Sequence, residues 1–173
     1  AAFDVCIRGA GVVGQSLALQ LAGLRLRVGL VDTAPKAAPD VRAFALNAAS
    51  KTLLQSLRCW PDAKHATPVQ CMRVWGDGGA QVQLPAPTTE GLSWIVDVPV
   101  LQAQLAQAIQ YQPLITLLTE PSSASLTVVC EGRHSSSRDH LGVTHEVLPY
   151  DQHALAARVQ CSVPHQGQAF QWF

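Results

Sequence analysis

The sequence predicts an α/β fold on the strength of three observations. A glycine-rich run, Gly9-Ala10-Gly11-Val12-Val13-Gly14, directly follows the apolar residues 3–7. Asp32 follows a second apolar run, and a third apolar run at residues 126–130 leads into a turn and a short helical pattern. A strand, a glycine turn, a helix and an acid at the end of the next strand are typical of a Rossmann-like nucleotide-binding unit.

The first elements follow from local patterns. Residues 4–8 are expected to form a strand, residues 12–23 a helix with apolar side chains on most faces, and residues 27–32 a parallel second strand. The residues 33–40, rich in proline and alanine, predict a loop. Asn47 can then cap a helix that runs to about residue 58.

The pattern changes in the middle of the chain. Short strands separated by turn residues are expected at residues 69–74, 80–84 and 94–96. Their spacing suits an antiparallel β-meander inserted into the α/β domain at residues 69–97. A helix opening at Asp97 and Pro99 should follow, with one buried face formed by Leu101, Leu105 and Ile109.

The last third of the chain is predicted in four pieces. A short link should follow the helix that ends near Ile109, and residues 126–130 should form a buried strand. Ser135 can cap a short helix that Gly142 ends. The alternating residues 154–163 and the aromatic residues 169–173 predict the start of a second, antiparallel sheet. The strand aromatics Trp94, Phe170, Trp172 and Phe173 are expected to fill a core.

Composition excludes several classes of protein. The 173 residues are 48% hydrophobic, and 12 basic residues balance 12 acidic ones, which does not suit a nucleic-acid-binding protein. Five dispersed cysteines argue against a disulfide framework, and the histidines and cysteines show no metal-ligand spacing, so no metal site is expected. Neither a secretory signal nor a membrane-spanning stretch is evident, which favours a cytoplasmic location.

The glycine run has a specific chemical meaning. Gly9 allows a tight turn, Gly11 allows the backbone to approach a pyrophosphate, and Gly14 allows the helix to pack closely on the strand. The N–H groups at the start of the helix, including those of Val12 and Val13, can then face phosphate oxygens. Asp32 can accept hydrogen bonds from ribose hydroxyls, which favours FAD or NAD at this site over NADP.

Three further segments resemble known motifs. Residues 42–46, which begin with Arg42, resemble the "RA-x-AL" segment of the flavin-dependent aromatic hydroxylases. Residues 131–138, with Glu131, Gly132 and Arg138, resemble their "DG-x-x-S-x-x-R" motif. Residues 150–173 resemble the "Y-x-Q-x-A … H-x-G-x-A-F-x-x-F" signature of the ubiquinone-biosynthesis branch, the enzymes like 2-polyprenyl-6-methoxyphenol hydroxylase. With the glycine run, four motifs stand in the family's order.

The resemblance implies an FAD-dependent monooxygenase that uses NAD(P)H and O2 to hydroxylate an aromatic ring of a quinone precursor. It implies a glutathione-reductase-like FAD-binding domain at residues 1–145, and the beginning of a substrate-domain sheet at residues 146–173. The glycine turn and Asp32 would hold the ADP half of FAD, and Arg42 would lie near the phosphates. Glu131 and Gly132 would lie under the pyrophosphate, with Arg138 supporting that turn.

The chain departs from the family in several places. Glu131 stands where the family usually has Asp, Arg8 replaces an aliphatic residue, and Val98 falls where a polar residue often contacts FAD. The link between residues 110 and 126 is compressed. The family's second FAD motif is not within these 173 residues, so the chain is expected to correspond to the N-terminal part of a hydroxylase.

Two other functions stay open on the sequence. The chain could be a catalytically silent FAD- or ADP-binding or assembly module, or an NAD-dependent dehydrogenase. No catalytic residue is identified. The expected partner is an aromatic small molecule, with a polyprenyl chain left open. Peripheral contact with the inner membrane or with a quinone-biosynthesis complex is a family expectation, and the oligomeric state is open.

Overall fold

A computed structural model describes residues 2–33 and 40–173. The loop predicted at residues 33–40 lies outside the described residues for all but its two ends. The chain divides into two compact units. Of the described residues, unit 1 contains 2–33 and 102–155, and unit 2 contains 40–101 and 156–173.

The strands and helices alternate early in the chain, and strands dominate its middle. The strands are β1 (Phe3–Arg8), β2 (Val28–Val31), β3 (Ala43–Leu46), β4 (Ala66–Val69), β5 (Cys71–Trp75), β6 (Gln81–Pro85), β7 (Ser93–Asp97), β8 (Ile115–Leu118), β9 (Ala124–Val129) and β10 (Gln168–Trp172). The helices are α1 (Val12–Gly23), α2 (Ala48–Ser56), α3 (Val98–Gln110) and α4 (Ser137–His140), with a 3-10 turn at Gly132–His134.

Unit 1 is built on a four-stranded sheet in the order β8-β2-β1-β9. All three strand pairs are parallel. Strands β1 and β2 occupy the middle and supply the fully buried side chains of Cys6, Ile7, Val28 and Leu30. Helix α1 packs on β1, β2 and β8. The α/β class with a parallel sheet is therefore confirmed, as are the β1, α1 and β2 elements.

Two predictions for unit 1 were wrong. The link expected between residues 110 and 126 contains β8, which pairs with β2 and buries Ile115. Strand β9 is not buried, since it forms the edge of the sheet and leaves Leu126 57% exposed. An apolar run indicates a strand, but the elements packed on the faces of the sheet decide how much of it is covered, and α1 packs on β1, β2 and β8.

Unit 2 holds two three-stranded sheets. One has the antiparallel order β3-β7-β4, and the other has the order β10-β5-β6. The strand expected at residues 69–74 is interrupted at Gln70, which separates β4 from β5. Strands β5 and β6 form an antiparallel pair, whereas the third expected strand, β7, pairs with β3 and β4.

The end of the chain differs from the antiparallel sheet predicted for it. Strand β10 pairs in parallel with β5, with Trp172 opposite Trp75. Residues 154–163 form no helix or strand, and Leu155 is 99% exposed. Alternation makes a segment suitable for a strand, but the strand forms only where a partner supplies hydrogen bonds.

The strand aromatics divide into two groups. Trp94 is buried, as expected, and meets Trp60 edge to face with ring centroids 6.1 Å apart. Phe170, Trp172 and Phe173 are exposed, which corrects the prediction that they fill a core. Trp75, Phe170 and Trp172 instead form an aromatic stack, with the two indole centroids 4.9 Å apart.

The two predicted helices of the middle region are confirmed. Asn47 precedes α2, and its Oδ1 accepts a hydrogen bond from the backbone N–H of Ser50 at 2.9 Å. In α3 the side chains of Leu101, Leu105 and Ile109 are buried. Among the described residues, no helix combines the length and the apolar character needed to cross a membrane.

We expect Asn47→Ala to lower the free energy of unfolding by about 1 kcal/mol, since the first turn of α2 loses its side-chain acceptor. Asn47→Asp keeps an acceptor and should stay close to the unsubstituted protein. Urea denaturation followed by far-ultraviolet circular dichroism measures both. An equal loss for the two variants would show that the cap does not stabilise α2.

Candidate functional site

The glycine run forms the turn between β1 and α1, as the sequence predicted. Gly9 has a φ of +108°, and a Cβ there would lie 2.5 Å from the carbonyl oxygen of Cys130. A Cβ on Gly14 would overlap the carbonyl oxygen of Gly9. Both positions therefore require glycine for internal packing.

Gly11 is different, because nothing in the protein requires a glycine there. Its φ is −73°, which any residue adopts, and a Cβ would meet no atom within 4 Å. The residue is exposed at the start of α1. The space beside the Gly11 backbone is open to a ligand.

The start of α1 suits an anion. Gly11 is the N-cap, so no side chain caps the helix, and no acidic residue lies in its first turn. The first N–H groups of a helix have no partner within it, and the helix dipole adds partial positive charge there. The backbone around Val12 and Val13 therefore presents donors that fit a pyrophosphate.

Asp32 lies beside this turn. It is exposed and directly follows β2, and its backbone N–H donates to the carbonyl of Leu118 at 2.9 Å. Strands β1 and β2 are parallel, and Gly9 N–H donates to the Val31 carbonyl at 3.1 Å. The carboxyl end of β2 thus carries Asp32 next to the glycine turn, where a ligand of a parallel sheet binds.

The structure places Glu131 and Gly132 at the same carboxyl end of the parallel sheet as the glycine turn and Asp32. The backbone N–H of Cys130 donates to the Arg8 carbonyl at 2.7 Å, which continues the pairing of β9 with β1. The Glu131 Cα lies 3.0 Å from the position that a Cβ on Gly9 would take. Gly132 has a φ of +69° and turns the chain away from the strand.

The carboxylate of Glu131 organises the residues that follow it. Its Oε2 accepts hydrogen bonds from Ser135 Oγ at 2.7 Å and from Ser137 N–H at 3.0 Å, and its Oε1 accepts one from Ser137 Oγ at 2.6 Å. The hydroxyl of Ser137, these other hydrogen bonds and the Arg8 guanidinium lower the pKa of Glu131 to about 2. The carboxylate is therefore ionised at neutral pH.

The helix after this turn corrects one predicted cap. Helix α4 begins at Ser137 rather than after Ser135, and its N-cap Ser136 makes no side-chain cap. The Glu131 carboxylate takes over that function by accepting the Ser137 N–H. Gly142 ends the helix with a φ of +68°, as predicted.

Arg138 contacts the turn that follows Gly132. Its Nη2 donates to the carbonyl of Arg133, while its buried Nε has no hydrogen-bond partner in the part of the chain that the structure describes. The guanidinium therefore stabilises the turn through this hydrogen bond, and both residues belong to unit 1.

Arg42 belongs to unit 2 and already has an acidic partner. Its Nε and Nη2 donate to the two carboxylate oxygens of Asp40 at 2.9 and 2.8 Å. The Arg42 hydrogen bonds lower the pKa of Asp40 to about 2. The Arg42 carbonyl accepts the backbone N–H of Val98, whose side chain is fully buried. Sequence reasoning singled out Arg42 but missed Asp40, although it stands only two residues earlier.

Sequence reasoning also missed a second polar cluster in unit 2. His65 Nδ1 lies 2.7 Å from Asp97 Oδ2, and Arg158 Nη2 lies 2.7 Å from Asp97 Oδ1. The Arg158 hydrogen bond, followed by that of His65, lowers the pKa of Asp97. No local sequence signal joins these three positions. No three metal-ligating side chains come together among the described residues.

Comparison with known proteins supports the resemblance seen in the motifs. The chain is 29% identical over 189 residues to the 3-demethoxyubiquinol 3-hydroxylase of Escherichia coli, a match that covers 91% of this chain and 48% of that protein. It is 22% identical to the ubiquinone hydroxylase UbiM of Neisseria meningitidis, covering 98% of this chain and 44% of UbiM. No protein-family model matches the chain.

Solved structures show the same fold. PqsL of Pseudomonas aeruginosa, in its complex with 2-aminobenzoylacetate, superposes with a TM-score of 0.73 at 18% identity over 86% of this chain and 48% of PqsL. The p-nitrophenol 4-monooxygenase PnpA of Pseudomonas putida superposes with a TM-score of 0.64 at 16% identity, covering 80% of this chain and 43% of PnpA.

The resemblance to the ubiquinone hydroxylases is confirmed, and the fold is that of the FAD-dependent monooxygenases. The chain spans less than half the length of the curated relatives it matches. That share fits a resemblance to the N-terminal part of such a protein.

We expect Glu131→Gln to lower the stability most at neutral pH. Because the folded-state pKa of about 2 lies below the ordinary value of 4.5, the ionised carboxylate stabilises the fold above pH 4.5, and this contribution is lost as the pH falls toward 2. Urea titrations between pH 7 and pH 3 measure the difference between variant and unsubstituted protein, which should shrink with acidification. The exposed Glu120→Gln is the control, and a pH-independent difference for Glu131→Gln would contradict the prediction.

Proposed function

We propose that this chain is the dinucleotide-binding part of an FAD-dependent monooxygenase that hydroxylates an aromatic ring of a quinone precursor. The observation that carries the proposal is Gly11. It is exposed and sterically unconstrained, and it begins a helix that no side chain caps. A glycine that the protein itself does not need, at an anion-binding helix start, is explained by close approach of a diphosphate.

The proposed cofactor site has two parts. Gly9, Gly11, Val12, Val13 and Gly14 would hold the pyrophosphate, and Asp32 would accept hydrogen bonds from the adenosine ribose. In the same unit, Glu131, Gly132 and Arg138 complete the proposed set. For Arg42, which belongs to unit 2, a role near the phosphates rests on the resemblance alone. The parallel order β8-β2-β1-β9 supports a Rossmann-like, glutathione-reductase-like FAD domain within residues 1–145. Residues 69–97 would be its insertion, in which β5 pairs with β6, while β7 pairs with β3 and β4 instead of completing a meander.

The chemistry of the proposed reaction belongs to the flavin, which when bound transfers electrons from NAD(P)H to O2 and one oxygen atom to the ring. This chain would bind and orient the ADP half. Residues 146–173 would begin the substrate sheet, and the names of the two ubiquinone hydroxylases support a ubiquinone precursor as substrate. Peripheral contact with the inner membrane or with a quinone-biosynthesis complex remains part of the proposal.

The function is tested on the protein purified from its own cells, by its visible absorption spectrum and its intact mass. Flavin bands at stoichiometric level, followed by NADH oxidation that depends on an aromatic quinone precursor, would support the proposal. A colourless protein that binds ADP without turnover would identify a silent binding module. A protein that binds NADH but not FAD would identify a dehydrogenase.

We expect Gly11→Ala to weaken ADP binding at least about tenfold without destabilising the fold. The added methyl group faces the proposed ligand and no protein atom. Isothermal titration calorimetry measures the affinity, and thermal unfolding measures the stability. Gly23→Ala, at the exposed other end of α1, is the matched control and should leave ADP affinity unchanged. Equal ADP affinity in both variants would remove the main support for the site.

We expect Asp32→Ala to weaken ADP binding about tenfold, the usual scale for losing a hydrogen bond to a charged group. The variant should also lose the preference of the protein for ADP over adenosine 2′,5′-bisphosphate, because the carboxylate no longer repels a 2′-phosphate. Competition binding with the two nucleotides measures both effects. The exposed turn residue Asp77 provides the control variant Asp77→Ala, and an unchanged preference in Asp32→Ala would place the ribose elsewhere.

A further inference from the structure

An ion pair joins the two turns of the proposed cofactor site. Arg8, the last residue of β1, stands directly before Gly9, and Glu131 follows β9 by two residues. Arg8 Nε lies 3.1 Å from Glu131 Oε1, and the two side chains are 32% and 16% exposed. The pair therefore links the carboxyl ends of two neighbouring parallel strands.

The Glu131 carboxylate is held at this place by several contacts. Ser135 Oγ, Ser137 N–H and Ser137 Oγ all donate to it, in addition to the Arg8 contact. Losing the charge would weaken the hydrogen bonds from these donors. The structure thus fixes a negative charge next to the glycine turn.

A fixed carboxylate is unfavourable beside a site for an anion. The Glu131 carboxylate contacts Arg8, the residue directly before Gly9, so its negative charge lies near the turn at which the diphosphate is proposed to bind. Like charges at such range repel, and partial burial weakens the screening by water. The side chain that organises the second turn would therefore oppose the ligand unless its charge is balanced.

We propose that Arg8 is a positioning residue of the dinucleotide site, which neutralises Glu131 so that this carboxylate can hold its turn without repelling the diphosphate. The inference rests on the proposed function. It also gives one explanation for two departures from the family pattern, the arginine before the glycine turn and the glutamate after β9. The two side chains form an ion pair with each other.

The test is a double-mutant cycle on the whole chain, with ADP binding measured by calorimetry. Arg8→Met leaves the carboxylate unbalanced and should weaken ADP binding at least about tenfold. Glu131→Gln removes the repulsion together with the carboxylate that holds the second turn, so it should weaken ADP binding by no more than about threefold. The double variant should return to within about threefold of the unsubstituted affinity.

Two controls accompany the cycle. Arg27→Met removes the same charge from the exposed Arg27–Asp4 pair at the opposite end of β1, and should leave ADP affinity unchanged. Arg8→Lys keeps the charge and should bind ADP within about threefold of the unsubstituted protein. If Arg8→Met does not fold, Arg8→Gln takes its place in the cycle.

The outcomes separate the possible roles of Arg8. If both single variants weaken binding to the same extent and the double variant is no better, the pair is only structural and the proposal is wrong. If the double variant binds as weakly as Arg8→Met, Arg8 contacts the phosphates directly, and the proposal is again wrong. If the unsubstituted protein binds neither ADP nor FAD, the proposed function itself fails and the inference falls with it.

Discussion

The close approach between α1 and the end of β1 is the constraint on which unit 1 depends. A side chain at Gly14 would overlap the Gly9 carbonyl, and a side chain at Gly9 would collide with the carbonyl of Cys130. These contacts bring the start of α1 and the carboxyl ends of β1 and β9 together. In the same turn Gly11 leaves the start of α1 without a side-chain cap, and Asp32 and Glu131 follow the neighbouring strands β2 and β9, so the fold also creates the candidate site.

Several of the opposite charges that balance in this chain lie in ion pairs. Four arginines each lie against one carboxylate, in the pairs Arg8–Glu131, Arg27–Asp4, Arg42–Asp40 and Arg158–Asp97. Exposed pairs of this kind contribute little to stability. The pair at Glu131 differs because the same carboxylate accepts three further hydrogen bonds, and its environment therefore matters beyond a simple surface contact.

Local patterns were sufficient for β1, α1, β2 and α3, because the apolar period and the glycine spacing of these elements lie within a few residues. They failed where the outcome depends on distant partners. The exposure of β9, the parallel pairing of β10 and the existence of β8 depend on elements elsewhere in the chain. The glycine turn and Asp32 were predictable because their signals also lie within a short stretch of sequence. The partners of Arg8 and Asp97, in contrast, come from positions far away in sequence.

Two residues of the aromatic stack lie on β10, which has a single neighbouring strand, β5, among the described residues. Strand β10 is at the edge of its sheet, contains neither a charged residue nor a proline, and exposes Phe170 and Trp172. Natural edge strands usually carry such residues to prevent pairing with another molecule. This chain on its own therefore presents a template for intermolecular β-pairing, and its tendency to aggregate should rise with concentration unless another strand covers that edge.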